Sequence, residues 1–406
     1  MRPPGFAVAL GLIALVGLAV RVAYALLTKD WQELQGDALS YHLTGQYLAD
    51  GEGWRRPEVD LPTAEFPPAQ STLLGAATLF GLGGVFEQKL LLCVVGAVTV
   101  ALIGLVGRAA AGSERVGLIA AAIAALYPPL WVMSGTLLGE TLYGLLLVSS
   151  LLAAYAAWRE ATTRRFAVLG ALIALAALAR GEALGLVVLV LLPLAWRARR
   201  RAALPLAVAG VAAFALVLTP WTVRNLATFE KPVLISNNAN GVWVGANCER
   251  TYFTEEIGSW RFDCYGERPE GDESEQFSEY RRRGMEYLRD HLGRWPRVVA
   301  ARVGRLYDVY RPWDQGVFFA GIEGRHPRAT KMALLAYWTL IPFAIAGAVL
   351  LRRRARPLLI LLAPIALVSL VAIATYGVTR FRFAAEPSFV VLGAVAVDAL
   401  LSRVRR

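Results

Sequence analysis

The sequence predicts an all-α protein that crosses a membrane about ten times. Of its 406 residues, 56% are hydrophobic, whereas globular proteins are roughly 45–50% apolar. Charged residues make up 18%, below the usual ~25%, and the mean hydropathy is +0.49. Apolar runs of about 20 residues, long enough to span a bilayer, recur between arginine clusters. These observations exclude a soluble enzyme, a disordered chain and a disulfide-rich scaffold.

The charge distribution argues against nucleic acid as a partner, although the net charge is +11. The basic residues are 38 arginines and 4 lysines, and many of the arginines lie at the ends of apolar runs. This placement is typical of topology determinants that face anionic lipid headgroups. The basic balance therefore indicates membrane lipids as partners.

Ten apolar runs predict the membrane helices. The first is too long for a signal-peptide core and no cleavage site follows it, so we expect it to be retained. The predicted spans are residues 5–27, 88–107, 116–133, 141–158, 166–180, 183–196, 203–222, 331–351, 357–376 and 387–401. Arginines cluster in alternate connections, and the positive-inside rule places these connections and both termini in the cytoplasm. The clusters include Arg2, Arg108, Arg115, Arg159, Arg164, Arg165, Arg197, Arg199, Arg200, Arg201, Arg352, Arg353, Arg354, Arg356, Arg403, Arg405 and Arg406.

The short apolar stretch at residues 68–84 has two interpretations. It contains four glycines and a polar start, which favours a juxtamembrane helix on the outer leaflet. As an eleventh span it would place three arginine clusters outside, so we prefer the juxtamembrane interpretation.

These spans divide the chain into three parts. Residues 1–222 form an N-terminal transmembrane module that includes a first outer loop at 28–88. Residues 223–330 form a mixed extracytoplasmic loop domain, and residues 331–406 form the C-terminal transmembrane helices. Outer juxtamembrane helices are expected beside this bundle.

Two amphipathic helices are predicted in the loop domain. Residues 273–292 carry an apolar face, and residues 295–310 place apolar side chains opposite Arg297, Arg302 and Arg305. The second pattern predicts a basic helix at the membrane interface.

The three cysteines agree with this topology. Cys93 falls in a predicted span and is expected to be an inert apolar residue. Cys248 and Cys264 lie in the outer loop, where a disulfide persists. We favour that disulfide over two unpaired thiols, because the topology was assigned independently of the cysteines.

Several kinds of active site are absent from the sequence. There is no zinc-ligand spacing, no G-x-S-x-G elbow, no Walker A loop and no Rossmann glycine pattern. No predicted cytoplasmic segment is long enough for a nucleotide-binding domain. These absences argue against an ATP-driven pump and a cofactor-dependent redox enzyme.

Three acidic residues are candidates on the outer side. Asp37 opens a helical pattern, either as the helix N-cap or as a catalytic carboxylate. Glu140 lies where a helix re-enters the membrane without a basic neighbour. Burying such a charge is costly unless it is used, although a first-turn acid also suits the helix dipole. Glu65 lies in the first outer loop.

Three outer arginines are exceptions to the positive-inside rule. Arg180 shares a short turn with Glu182, while Arg380 and Arg382 lie in "TYGVTRFRFAAEP". Guanidinium groups bind phosphate in bidentate fashion, so these residues are candidate ligands of a lipid phosphate. An Arg180–Glu182 pair and ordinary snorkelling to headgroups are the alternatives.

Five segments carry a family resemblance. Their order and spacing resemble the GT-C membrane glycosyltransferases, in particular the protein O-mannosyltransferases and lipid A aminoarabinose transferases. The segments are "GDALSY", "FPPAQSTLLGAATLFG", "RAAAGSERVGLIAAAIAALYPPLWVMSGTLLGETL", "TPWTVRN" and "RFRFAAEP". One position departs from the aminoarabinose transferases, which have a lysine where this chain has Phe66.

The resemblance implies a GT-C fold and assigns a role to each candidate. By this resemblance Asp37 and Glu140 are the catalytic acids of the first and second outer loops, and Arg180, Arg380 and Arg382 bind the donor phosphate. The neighbouring residues expected to contact substrate are Tyr41, His42, Glu65 and Glu182.

The implied activity is inverting sugar transfer in the plasma membrane, with the active site outside the cytoplasm. The donor is a polyprenyl-phosphate-linked sugar, and the acceptor is a hydroxyl of a glycan, a lipid or a protein. Asp37 is the expected base, while Glu140 either orients the acceptor or holds a divalent cation with Asp37. No other cofactor is expected. The alternative is a non-enzymatic flippase or exporter of a lipid-linked saccharide, although the inverted repeats of transporters are not apparent.

Overall fold

The computed structural model describes residues 5–31, 33–57, 59–198 and 200–404, with the backbone alone at 200–202 and 314–318. Of the topology-determining arginines, Arg2, Arg199, Arg405 and Arg406 lie outside the described residues, as do the side chains of Arg200 and Arg201.

The described chain is almost entirely helical, which confirms the predicted all-α class. A two-stranded antiparallel ribbon pairs β1 (Arg55–Arg56) with β2 (Leu61–Pro62). The α-helices are α1 (Phe6–Leu27), α2 (Gly36–Ala49), α3 (Ala69–Leu79), α4 (Val85–Ala111), α5 (Glu114–Leu126), α6 (Pro128–Ser134), α7 (Glu140–Arg159), α8 (Thr163–Ala179), α9 (Leu192–Arg197), α10 (Arg200–Thr228), α11 (Asn238–Ala246), α12 (Glu249–Phe253), α13 (Glu273–Asp290), α14 (Trp295–Leu306), α15 (Pro312–Ile322), α16 (Pro327–Arg353), α17 (Leu359–Ala374) and α18 (Glu386–Val404).

Six of the described helices are long and apolar enough to cross a membrane. They are α1, α4, α7, α10, α16 and α18. Helices α5 and α6 would form a seventh span as a pair bent by 54°, and α17 is a shorter apolar helix. The protein is therefore an integral, polytopic membrane protein, and its described part contains fewer long regular helices than the ten predicted spans.

Two predicted spans are not single α-helices. The stretch 116–133 breaks at Tyr127, which has an extended ψ of 110° because Pro128 follows it. The stretch 183–196 consists of a 3₁₀ turn, a π-helical turn at Val187–Leu191 and the short helix α9.

The segment predicted to be juxtamembrane contains α3. Its 11 residues extend about 16 Å, roughly half the hydrocarbon thickness of a bilayer. It packs against α2 at two glycines, where a Cβ added to Gly75 would lie 2.8 Å from the carbonyl oxygen of Gly45. The helix is too short to cross, which supports the juxtamembrane interpretation over an eleventh span.

Close helix approach holds the bundle together. A Cβ at Gly170 of α8 would overlap the carbonyl oxygen of Gly210 in α10. In the same way, Gly347 of α16 faces the backbone of Leu392 in α18. Small residues at such contacts permit the close packing on which helix association in a membrane depends.

A buried carboxylate helps to join the loop domain to the first outer loop. Glu273, at the start of α13, accepts hydrogen bonds from Thr63 Oγ1 at 2.6 Å, and from the Ala64 amide and Asn237 Nδ2 at 2.8 Å each. The expected domain boundaries at 222 and 330 fall inside α10 and α16, so the loop domain continues directly from spanning helices.

The predicted basic face of α14 is wrong, because two of its arginines point inward. Arg302 is fully buried and donates to the carbonyl oxygens of Ala246 at 2.9 Å and Ile373 at 3.1 Å. Arg305 is 5% exposed and donates to the carbonyl oxygen of Ile257 at 2.7 Å. Burial lowers the pKa of Arg302 to about 10. These guanidinium groups thus act as donors to backbone carbonyl groups inside the protein.

The cysteine prediction is confirmed. A disulfide joins Cys248 to Cys264 and closes a loop that contains α12, while Cys93 is free and buried in α4.

We expect removal of this disulfide to destabilise the loop domain. The double variant Cys248→Ser/Cys264→Ser should lose about 3 kcal/mol of unfolding free energy, the scale for closing a loop of 16 residues. Thermal unfolding in detergent, with and without reductant, measures the difference. Labelling of both thiols in native membranes would contradict the disulfide, with buried Cys93 as the internal reference.

Candidate active site

Five charged side chains meet where several helix ends come together. Asp37 is the second residue of α2, and Glu140 is the first residue of α7. Arg180 directly follows α8, with Glu182 in the next 3₁₀ turn. Arg380 belongs to the 3₁₀ turn that precedes α18. Residues far apart in the sequence thus form one cluster.

Ion pairs connect all five residues. Arg380 Nη1 donates to Asp37 Oδ2 at 2.7 Å, and Arg380 Nε donates to Glu140 Oε1. Arg180 Nη1 donates to the same Glu140 oxygen, and Arg180 Nε donates to Glu182 Oε1 at 2.6 Å. Glu140 therefore holds both guanidinium groups side by side.

The carboxylates of the cluster differ in their exposure to solvent. The side chain of Glu140 is 1% exposed, and its Oε2 has no hydrogen-bond partner among the residues that the structure describes. Asp37 is the most accessible carboxylate, with 35% of its side chain exposed. Burial opposes the charge of Arg380, but Glu140 and Asp37 hold its pKa well above the usual range. Arg380 is consequently a permanent cation between a buried acid and an accessible one.

A cavity of about 340 Å³ opens beside the cluster. Asp37, Arg180, Glu182 and Arg380 line it, whereas Glu140 lies behind the two arginines and does not. The remaining wall is largely apolar and aromatic, and it includes Phe66, Pro67, Val371, Ala374 and Phe381. The cavity thus combines a charged end with an apolar wall.

Tyr41, a predicted substrate contact, lines the same cavity. Its ring lies 4.9 Å from the ring of Phe66, between centroids. Burial, reinforced by Asp37 and Glu140, raises the pKa of its phenol far above the usual value. The hydroxyl therefore remains protonated and can donate a hydrogen bond at neutral pH.

Three other predicted site residues do not line this cavity. His42 Nδ1 is 2.8 Å from Gln88 Oε1, on another face of α2. Glu65 lies 3.7 Å from Arg56 and lines a separate cavity of about 20 Å³. Arg382 is buried in an ion cluster of its own, at 1% exposure.

The contacts of three site residues bear on the alternatives that the sequence left open. Gln35, not Asp37, occupies the N-cap of α2, so the capping interpretation of Asp37 does not hold. Arg180 does pair with Glu182, but it pairs with Glu140 as well. Arg380 is only 13% exposed and paired on two sides, which excludes simple snorkelling to headgroups.

Two residues near the site were not predicted from the sequence. Tyr376 lines the cavity, with its ring centroid 4.8 Å from that of Phe381. Its position four residues before Arg380 could have identified it from the sequence. Asp308 pairs with Arg382, and nothing in the sequence indicates this contact between residues 74 positions apart.

The carboxylates in the cluster do not fit a divalent cation. Among the described residues, no group of three or more His, Cys, Asp or Glu side chains is arranged to hold a metal ion. Asp37 and Glu140 are both bonded to Arg380, whose charge would repel a cation placed between them.

Comparisons with known proteins give a distant structural likeness. No family model matches the chain, and no curated protein matches it. The chain is similar to the crystal structure of ArnT from Cupriavidus metallidurans bound to undecaprenyl phosphate, with 16% identity and a TM-score of 0.43 over 96% of this chain and 78% of ArnT. The apo crystal structure of the same ArnT gives 16% identity and a TM-score of 0.43 over 94% and 77% of the two chains. This superposition is loose, and it assigns no residue role to the chain.

Proposed function

We propose that the protein is an inverting glycosyltransferase of the GT-C type. It moves a sugar from a polyprenyl phosphate to an acceptor hydroxyl. The observation that carries this proposal is the Asp37–Arg380 pair at the wall of the 340 Å³ cavity, with Arg180 alongside. The pair places a ligand for an anion next to an accessible carboxylate base.

Phosphate binding is the role that suits the two arginines. Guanidinium groups match phosphate oxygens in bidentate geometry, and their charge stabilises the anion that develops on the leaving group. A phosphate that departs in this way needs no proton. The acid and base carboxylates of a glycosidase are therefore not both required.

Charge balance indicates how the phosphate enters. Arg180 and Arg380 face three carboxylates, so a bound phosphate must replace one of them. The most exposed is Asp37, at 35%, against 16% for Glu182 and 1% for Glu140. The phosphate consequently displaces Asp37 from Arg380 and frees that carboxylate to act as a base.

The proposed reaction is a single displacement. The acceptor oxygen bonds to the anomeric carbon as the bond from that carbon to the phosphate oxygen breaks. Asp37 takes the acceptor proton, and the bond electrons leave with the polyprenyl phosphate held by Arg180 and Arg380. Glu140 holds the two arginines in place, and no step requires a metal ion.

The apolar wall is suited to the lipid part of the donor. Phe66 and Phe381 line the same cavity as the arginines, where the first isoprene units would follow the phosphate. Phe66 stands where the aminoarabinose transferases carry a lysine, and among the described residues the cations that line this cavity are Arg180 and Arg380. We therefore propose a polyprenyl-phosphate donor without extending the aminoarabinose specificity to this chain.

We place the active site on the extracytoplasmic side, with the C-terminus inside the cell, following the arginine distribution. A reporter active only in the cytoplasm, fused after the last residue, is expected to be active. A reporter active only outside, fused at the same position, is the matched control and is expected to be silent. The reverse result would invert the topology and the side of the site.

Sugar transfer by the purified protein in lipid vesicles tests the activity. A polyprenyl-phosphate-linked sugar and membrane extract as acceptor source should yield glycosylated acceptor and free polyprenyl phosphate, with or without EDTA. Loss of sugar transfer in EDTA would show that the reaction needs a divalent cation. Movement of the intact lipid-linked sugar across the vesicle without cleavage would show a flippase instead.

A further inference from the structure

The turn that carries Arg380 is short and needs external support. Thr379–Ala384 forms six residues of 3₁₀ helix between α17 and α18. Such helices have poorer hydrogen-bond geometry than α-helices and are rarely stable in isolation. The direction in which Arg380 points therefore depends on contacts that the rest of the molecule makes with this turn.

Those contacts come from a second buried ion cluster on the other face of the turn. Arg382 Nη1 donates to Asp308 Oδ2 at 2.6 Å, and Arg382 Nε donates to Glu386 Oε1 at 2.7 Å. Glu386 Oε2 also accepts from the Tyr127 hydroxyl at 2.8 Å. The guanidinium carbon of Arg382 lies 3.5 Å from the ring centroid of Tyr337. Each polar group of the cluster is thus held in a fixed direction.

Asp308 holds the turn at two points. Its Oδ1 accepts from Thr379 Oγ1 at 2.6 Å, and its Oδ2 accepts from Arg382, so its two oxygens hold residues on either side of Arg380. The residue is 2% exposed and has a φ of +53°, in the left-handed region that Asp and Asn tolerate better than most residues. Asp308 adopts this conformation just after the end of α14, and its carboxylate faces the 3₁₀ turn.

We infer that Asp308, Thr379 and Arg382 form a clamp that positions Arg380 for the transfer reaction. None of these three side chains lines the 340 Å³ cavity, whereas Arg380 lines both that cavity and a smaller one of about 40 Å³ that all three border. In this proposal they act on the reaction through Arg380. Arg382 accordingly becomes a positioning residue and not a third phosphate ligand. This inference rests on the proposed function of Arg380.

Replacing Thr379 tests the clamp without burying an unpaired charge. Thr379→Val removes the hydroxyl that bonds to Asp308 and should lower kcat and raise the KM for the polyprenyl-phosphate sugar. The combined loss in kcat/KM should be about tenfold, on the scale of one buried hydrogen bond. Thr379→Ser keeps the hydroxyl and should restore activity. Asp308→Asn, which keeps the left-handed backbone accessible, should resemble Thr379→Val.

Thr99→Val is the matched control. Thr99 is a buried threonine in α4 whose hydroxyl bonds to Val95 of its own helix at 2.9 Å. This variant should transfer sugar at the wild-type rate. A loss of activity in Thr379→Val that merely follows the fraction of folded protein would overturn the inference.

Hydrogen exchange at residues 379–384 separates failure of the clamp from failure of the proposed function. Thr379→Val should accelerate exchange in this turn, because the supporting contact is lost, while Thr99→Val should not. If the wild-type protein transfers no sugar, the proposed function is wrong. Hydrogen exchange at residues 379–384 would still test whether the clamp supports the turn. Unchanged exchange in both Thr379→Val and Asp308→Asn would overturn it.

Discussion

Arg380→Gln is expected to lower kcat/KM for sugar transfer by about 10²–10³-fold, the range for losing one donor to a developing anion. The variant removes a phosphate ligand and also leaves Arg180 as the remaining ion-pair partner of Glu140 among the described residues. Affinity for undecaprenyl phosphate should fall in parallel. Kinetics in vesicles and direct binding of undecaprenyl phosphate measure the two effects separately.

Arg380→Lys distinguishes charge from geometry. Lysine keeps the positive charge but lacks the fork that bonds Asp37 and Glu140 at once, so we expect an intermediate loss. Arg115→Gln is the matched control, because Arg115 also pairs with a carboxylate, Asp398, at 2.5 Å, but near the predicted cytoplasmic end. An Arg380→Gln variant with normal transfer and normal lipid binding would remove the arginine from the phosphate site.

The members of the candidate cluster could be selected from the sequence because topology constrains them. Asp37, Glu140, Arg180 and Arg380 all lie on the predicted outer side, the last three beside the ends of apolar runs, and segments on one side of a bundle lie near one another in space. An ionisable residue at such a depth is costly unless it is paired or used. Burial cost and topology together therefore predicted the grouping, although not the individual bonds.

The burial of Arg302, Arg305 and Arg382 could not be predicted in the same way. Two of them donate to backbone carbonyls, which every residue has and no sequence pattern distinguishes. The third pairs with Asp308 across 74 residues. A helical wheel treats arginine as solvent-facing, and only the tertiary arrangement shows which buried acceptors need a donor.

Of the two predicted spans that are not single α-helices, one has a break that the sequence predicts and the other does not. Pro128 restricts the backbone of Tyr127, so the bend between α5 and α6 was available from "LYPPL". The π-helical turn at Val187–Leu191 consists of ordinary apolar residues, and hydropathy alone reads them as continuous helix. Composition therefore predicts where the membrane segments lie more reliably than whether each one is a continuous α-helix.

Asp37→Asn should reduce turnover by about 10²-fold or more, the usual scale for losing a general base. Asparagine keeps the shape of the side chain and an oxygen that accepts from Arg380, but it cannot take the acceptor proton. Because the phosphate must compete with Asp37 for Arg380, affinity for undecaprenyl phosphate should be unchanged or higher. Steady-state transfer and lipid binding, measured on the same preparation, check this opposite pair of effects.

Asp37→Ala separates the catalytic role from a structural one. Asp37 lies in the first turn of α2 but not at its N-cap, so neither variant should lose the stability that a missing cap would cost, about 1 kcal/mol. Asp50→Asn, at the exposed C-terminal end of the same helix, is the control for a lost carboxylate and should transfer sugar normally. If Asp37→Asn turns over at the wild-type rate, Asp37 is not the base. Glu182 then becomes the candidate, because it is the other carboxylate that lines the cavity in the described part of the chain. If turnover by Asp37→Asn falls while its lipid affinity is undiminished and its melting temperature is unchanged, the variant has lost proton removal by Asp37.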